Sequence, residues 1–234
     1  MEPPASVMLL LASVELALLV ISVALLVLSR REHSGREALL EAILRATREL
    51  TRYEYFSSVI DGILSSRRSI SGIVTGRRPV TTVGREAVAR IVEALRKASS
   101  RGVSIRYIVY PSPDRLAVAY AYKRAGALIR FHPYAGLADS RYTIIDGESV
   151  IIGIAGKEKE HPTRMGYVIR SRSLAQILER HFEDLWSEAE DFDSYLARLV
   201  REYSRGGAGP AEIARHLEVP VEEVEKHIGE EARH

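Results

Sequence analysis

Asp139, Arg141 and Asp146 are the residues whose types and spacing point most directly to chemistry. They stand in the run Ala138-Asp139-Ser140-Arg141-Tyr142-Thr143-Ile144-Ile145-Asp146-Gly147, which reads as a strand entering a hairpin turn. Alternate residues of a strand share a face, so Asp139 and Arg141 project to one side. A guanidinium there presents a planar fork for phosphate, and the neighbouring carboxylate competes for it as an intrachain ion pair. His132 and His161 flank the run; each reads first as a surface or hydrogen-bonded residue and second as a proton carrier. The pairs Arg67-Arg68 and Arg77-Arg78 bracket an earlier apolar run and either meet anionic headgroups or form a solvated face. The chain has no cysteine, which excludes disulfide scaffolds, thiolate metal sites and thiol nucleophiles. Walker, GxSxG and HExxH motifs are absent from the sequence, and neither metal nor cofactor is expected.

The elements that must position these residues begin beyond a long apolar run. Residues 7–28 are almost unbroken apolar sequence, long enough as a helix, at roughly 33 Å, to cross a bilayer core. Arg30 and Arg31 follow at once, while the preceding flank has only Glu2. This places the N-terminus outside and the remainder on the cytoplasmic face of the cell membrane as a single-pass protein. Glu15 lies inside the span and either contacts a partner helix or is tolerated in the outer leaflet. The expected organisation is a transmembrane anchor over residues 1–29, a helical neck over 30–54, an α/β domain over 55–190 and a helical tail over 191–234. Leu39, Ile43, Ala46, Leu50 and Tyr53 give the neck a helical stripe, read as a short coiled coil or as one helix packed on the domain. Strands are expected at 71–75, 104–110, 127–132, 141–145, 149–154 and 166–169, and helices at 84–101, 113–125 and 173–189. That alternation predicts a layered α/β fold.

The run 138–153, with Gly166-Tyr167-Val168-Ile169-Arg170-Ser171 and the helix ending Phe182-Glu183-Asp184-Leu185-Trp186, resembles one half of a phospholipase D-superfamily enzyme over roughly residues 55–190. The family signature is His-x-Lys, four residues, then Asp and a glycine turn. Asp146 and Gly147 stand at the family's Asp and Gly, Arg141 at the Lys and Asp139 at the His; Ile154 and Gly156 replace the usual Ser and Asn. In the family the histidine attacks phosphorus and a second one protonates the leaving oxygen, roles that a carboxylate cannot take. The resemblance therefore implies a scaffold with impaired catalysis, in which Arg141 still grips phosphate. One signature copy also implies a homodimer, which parallel anchors would favour through effective concentration.

Charge divides the chain. Residues 30–172 carry 26 basic and 14 acidic side chains, whereas residues 173–234 carry 7 and 15. The tail continues as helix from Trp186 to Tyr203, breaks at Gly206–Pro210, and resumes with helix-turn-helix spacing built on Ile213, Leu217, Val219, Val224 and Ile228. Its acidity opposes DNA binding and favours a protein partner; nucleic acid fits the basic α/β domain better. The leading expectation is a membrane-anchored, catalytically impaired phospholipase D-like binding or scaffold protein. The alternatives are a dimeric phosphodiesterase (nuclease or phospholipase) with substituted residues and a membrane-tethered transcription regulator.

Overall fold

Two parallel β-α-β crossovers form the centre of the fold. The computed structural model describes residues 47–133, 140–154 and 165–231. Strand β1 (Thr47–Leu50) leads into helix α1 (Arg52–Ser65), then β2 (Ser69–Val74), α2 (Thr82–Ser100) and β3 (Ser104–Val109). A short 3-10 turn, α3 (Leu116–Arg124), β4 (Leu128–Phe131), the hairpin β5 (Ser140–Ile145) and β6 (Ser149–Ile154), and β7 (Met165–Arg170) follow. The chain closes with α4 (Arg172–Glu188), a two-residue β8 (Glu190–Asp191), α5 (Phe192–Arg205), α6 (Pro210–Leu217) and α7 (Val221–Glu231).

The described strands form one sheet in the order β1-β7-β6-β5-β2-β3-β4-β8. Strands β2, β3 and β4 are parallel, and the remaining pairings are antiparallel. Alternation along the central strands fills both faces. Ile70, Ile105, Tyr107 and Val109 join α1, α2, α3 and α5 on one side; Ile73 and Ile108 join Ala175 and Phe182 of α4 on the other. Each such Ile, Leu or Phe contributes about 1.5–3 kcal/mol by leaving water.

The neck helix expected through residues 50–53 is corrected here. Helix α1 starts only at Arg52, because Thr51 caps it: the Thr51 hydroxyl accepts from Glu54 N–H, and the Glu54 carboxylate accepts from Thr51 N–H at 2.9 Å. The preceding residues are extended and pair with Met165–Arg170. At its far end, Arg101 Nη2 donates to the carbonyls of Ile63, Leu64 and Ser66, meeting the orphan acceptors of the last turn.

The continuous helix expected across 186–203 is also interrupted. Residues 190 and 191 pair with Phe131 and Arg130, and the Asp191 carboxylate accepts from the N–H groups of Asp193 and Ser194 to start α5 afresh. Residue 190 is no boundary in the packing: Phe192, Tyr195, Leu196, Leu199 and Val200 belong to the same core as the sheet, and the Tyr195 ring stacks on Phe131 at 4.1 Å. Among the described residues no helix is long and apolar enough to cross a membrane. The apolar segment 7–28 and Glu15 lie outside the described residues.

Candidate ligand-binding site

A chamber of about 120 Å³ lies between the sheet face of β2, β3 and β5 and helices α1, α2 and α3, near the carboxyl end of β2. Strand β5 contributes Arg141 and Thr143, which point to the α1 side because Tyr142 between them faces α4. Helix α1 contributes Tyr55, and β3 and α3 contribute Tyr107 and Tyr122. The rim is the loop 75–81 between β2 and α2, which brings Arg77 and Arg78 to the mouth.

Arg141 is only 6% exposed, and its guanidinium carbon lies 5.5 Å from the centre of the Tyr55 ring. Burial lowers the Arg141 pKa, with the Tyr55 hydroxyl opposing; burial likewise raises the Tyr55, Tyr107 and Tyr122 hydroxyls, so the phenols stay neutral. Room for this pair comes from two glycines in one row of the sheet. Arg141 is opposite Gly153, and Gly153 is opposite Gly166. A Cβ on Gly153 would fall 2.6 Å from Arg141 Nε and 2.9 Å from the Tyr55 hydroxyl; one on Gly166 would fall 2.6 Å from the Tyr55 ring.

The rim is tied down at both ends. Arg115 Nη1 donates to the Thr75 carbonyl at 2.7 Å while its guanidinium lies over Tyr110. Arg78 pairs with Glu218, the left-handed residue that closes α6. The turn of the helical tail is thus in direct contact with the mouth of the chamber.

Among the described signature residues, Arg141 and Asp146 lie apart. Asp146 sits at the other end of β5, five residues or roughly 17 Å from Arg141. It serves the hairpin there: its carboxylate accepts from the N–H groups of Arg67, Arg68 and Ser69 at 2.8–3.2 Å. Burial disfavours its charge, yet these donors and the Arg68 guanidinium outweigh that and hold its pKa below the usual carboxylate range. A depressed folded pKa means stabilisation that is complete above about pH 4 and lost as pH falls through the folded value. Asp146→Asn, which keeps a residue tolerant of the local φ of +55°, is expected to lower stability at pH 7 by about 1–2 kcal/mol. Urea titrations should show that gap narrowing below pH 4.

Asp139 and His161 lie outside the described residues. His132 follows β4, three strands from Arg141 and roughly 14 Å across the sheet, with Nε2 3.6 Å from Glu188. Arg67 and Arg68 belong to the Asp146 end. Among the described residues that line the chamber there is no histidine and no carboxylate. Ligating groups converge elsewhere, where Asp193, Glu223 and His227 approach one another between α5 and α7. The Lys123 ammonium already lies 2.6 Å from Asp193 Oδ1, supplying the positive charge a metal would bring. The tyrosines and the glycine row escape a reading of the chain because only helix placement and strand register make them neighbours. The rim had a visible cue: an apolar strand, Gly76-Arg77-Arg78, then Thr81 as a helix cap.

The described fold has counterparts among solved structures. It is similar to the structure of Nuc, a phospholipase D family member from Salmonella typhimurium, with 19% identity, a TM-score of 0.50, and coverage of 62% of this chain and 96% of Nuc. NucT from Helicobacter pylori aligns at 15% identity and TM-score 0.48 over 62% of this chain and 98% of its own. The archaeal chromatin protein TrmBL2 aligns at 14% and 0.43 over 81% and 72%. Residues 81–193 match the family described as transcriptional regulator TrmB, EBD N-terminal subdomain. Comparison with curated protein sequences finds no match.

Proposed function

We propose that this chain is a membrane-anchored binding protein whose phospholipase D-like domain recognises a small anion without hydrolysing it. The observation that carries this reading is the composition of the chamber: Arg141, Arg77 and Arg78 with three tyrosines, and neither imidazole nor carboxylate among its described lining residues. Such a wall attracts and orients an anion, and its described residues include no imidazole for the attack on phosphorus that the phospholipase D signature uses. The match of residues 81–193 to a subdomain of a transcriptional regulator, and the contact of the tail with the rim, support a regulatory use of binding. The anchor over residues 1–29 would hold that domain at the cytoplasmic face, and parallel anchors would favour a homodimer.

The competing reading is a phosphodiesterase, favoured by the likeness of fold to Nuc. Incubating the full-length protein with bis(p-nitrophenyl) phosphate separates the two. The expected result is no release of nitrophenol above background. Turnover that disappears in both Asp139→Ala and Arg141→Ala would establish the phosphodiesterase instead.

A further inference from the structure

We infer that the sheet end opposite the chamber mouth is a docking surface for anionic lipid headgroups. The inference rests on the anchored reading above and assigns the face of the domain that meets the membrane. Topology gathers that face. The parallel strands begin there, at Ser69, Ser104 and Leu128, and β5 finishes and β6 starts there, at Ile145 and Ser149. Ser149 is opposite Arg170, and Ile169 is opposite Thr47, so β7 ends and β1 begins at the same end. The chain enters the described sheet at Thr47, so an anchor over residues 1–29 would tether the domain by this side.

Charge sets this face apart. Arg67, Arg68, Lys97, Arg124, Arg170 and Arg172 are exposed on it. Asp146 is held by the N–H groups of Arg67, Arg68 and Ser69, Glu148 lies 3.3 Å from Arg68 and 3.0 Å from Arg172, and Glu93 lies 3.8 Å from Lys97. The cations remain in excess. Lys97, Arg124 and Arg67 also suit the carbonyl ends of α2, α3 and α1. Arg170 and Arg172 have no such local reason: they flank the amino end of α4, where the helix dipole disfavours a cation.

An anionic bilayer fits both the charge and the place. Each basic side chain near such a surface strengthens association about fivefold. Leu64 in the last turn of α1 and Leu128 at the start of β4 are 41% and 62% exposed at this same end, and apolar groups gain by entering a headgroup region. A nucleic-acid backbone would satisfy the arginines as well, but it leaves both leucines in water and is indifferent to where the chain enters the sheet. With this end on the bilayer, the chamber mouth at Arg77 and Arg78 and the tail residue Glu218 face away from it, open to a soluble ligand.

The full-length chain, placed in nanodiscs of phosphatidylcholine alone or with an equal part of phosphatidylserine, tests the assignment. The sequence has no cysteine, so one introduced thiol carries the whole signal. Ser65→Cys, exposed beside Arg67, reports the basic end; Val80→Cys, 76% exposed on the rim loop, reports the opposite one. With a bulky neutral maleimide, Ser65→Cys is expected to react about tenfold more slowly in the phosphatidylserine disc, and Val80→Cys at the same rate in both. Molar salt, or Arg67→Glu combined with Arg172→Glu, should abolish the difference. Equal rates for Ser65→Cys in the two discs, or slowing at Val80→Cys instead, overturns the inference and leaves the anchor standing. Slowing of Ser65→Cys by duplex DNA in the phosphatidylcholine disc, with none from phosphatidylserine, overturns the lipid assignment in favour of nucleic acid. A chain that enters neither disc overturns the anchored reading, and this inference with it.

Discussion

A chain ended at residue 190 is expected not to fold. The resemblance to a phospholipase D half, drawn over residues 55–190, invites that cut, but the packing forbids it. Helix α5 places Phe192, Tyr195, Leu196, Leu199 and Val200 in the core that also holds Ile105, Tyr107 and Phe131. At about 1.5–3 kcal/mol for each side chain, the loss is on the order of 10 kcal/mol, which matches the whole stability of an ordinary domain. The cut also removes residue 191 from its pairing with Arg130, so β4 is left as an edge strand with Phe131 uncovered. Circular dichroism and solubility of the fragment 47–190 beside 47–231 check this. A soluble 47–190 with a cooperative thermal transition would show α5 to be an appendage after all.

That false boundary shows what can be read from a chain and what cannot. The β-α-β alternation is legible because each buried strand is an apolar run closed by Gly, Pro or a helix cap, and such signals are local. The hairpin at Asp146-Gly147 is legible for the same reason, and both residues do take positive φ. Ala189-Glu190-Asp191 carries no strand pattern, because two residues at a sheet edge need none; their pairing is decided by Arg130 and Phe131, sixty residues earlier. The start of α1 was the opposite case. Thr51-x-x-Glu54 is a capping box in plain sight, overridden by a helical stripe that ran through it from the neck.

The site divides along the same line. Arg141 is singled out by the resemblance to the family signature, and the strand and turn around it fix its face. Tyr55, Tyr107, Tyr122, Gly153 and Gly166 come together only through helix placement and register, neither of which a linear pattern encodes. Asp146 lies at the opposite end of its strand from Arg141. Its position is conspicuous because a tight hairpin needs that residue, and the same need ties its carboxylate to Arg67, Arg68 and Ser69, far from Arg141.

Gly72→Ala should be the most damaging single substitution near the chamber. Gly72 is paired with Thr143 where β2 meets β5, the junction between the parallel half of the sheet and the antiparallel half that carries Arg141. A Cβ there would lie 2.4 Å from the Tyr142 carbonyl oxygen and 3.1 Å from Thr143 Cα. Both are backbone atoms held from the other side by β6, so neither can turn aside as a side chain would. Relief requires prising β5 from β2, which breaks ladder hydrogen bonds and moves Arg141 and Thr143 off the chamber wall. Overpacking of this kind costs about 1–3 kcal/mol where neighbours can adjust, and the upper end or more is expected where they cannot. Gly153→Ala is the matched comparison: its added methyl meets the Arg141 and Tyr55 side chains instead, and a side chain gives more readily than a strand's backbone. The expected pattern is a large loss of denaturation midpoint for Gly72→Ala and a smaller one for Gly153→Ala. Equal stability losses would mean that the β2–β5 seam has more slack than its close approach implies.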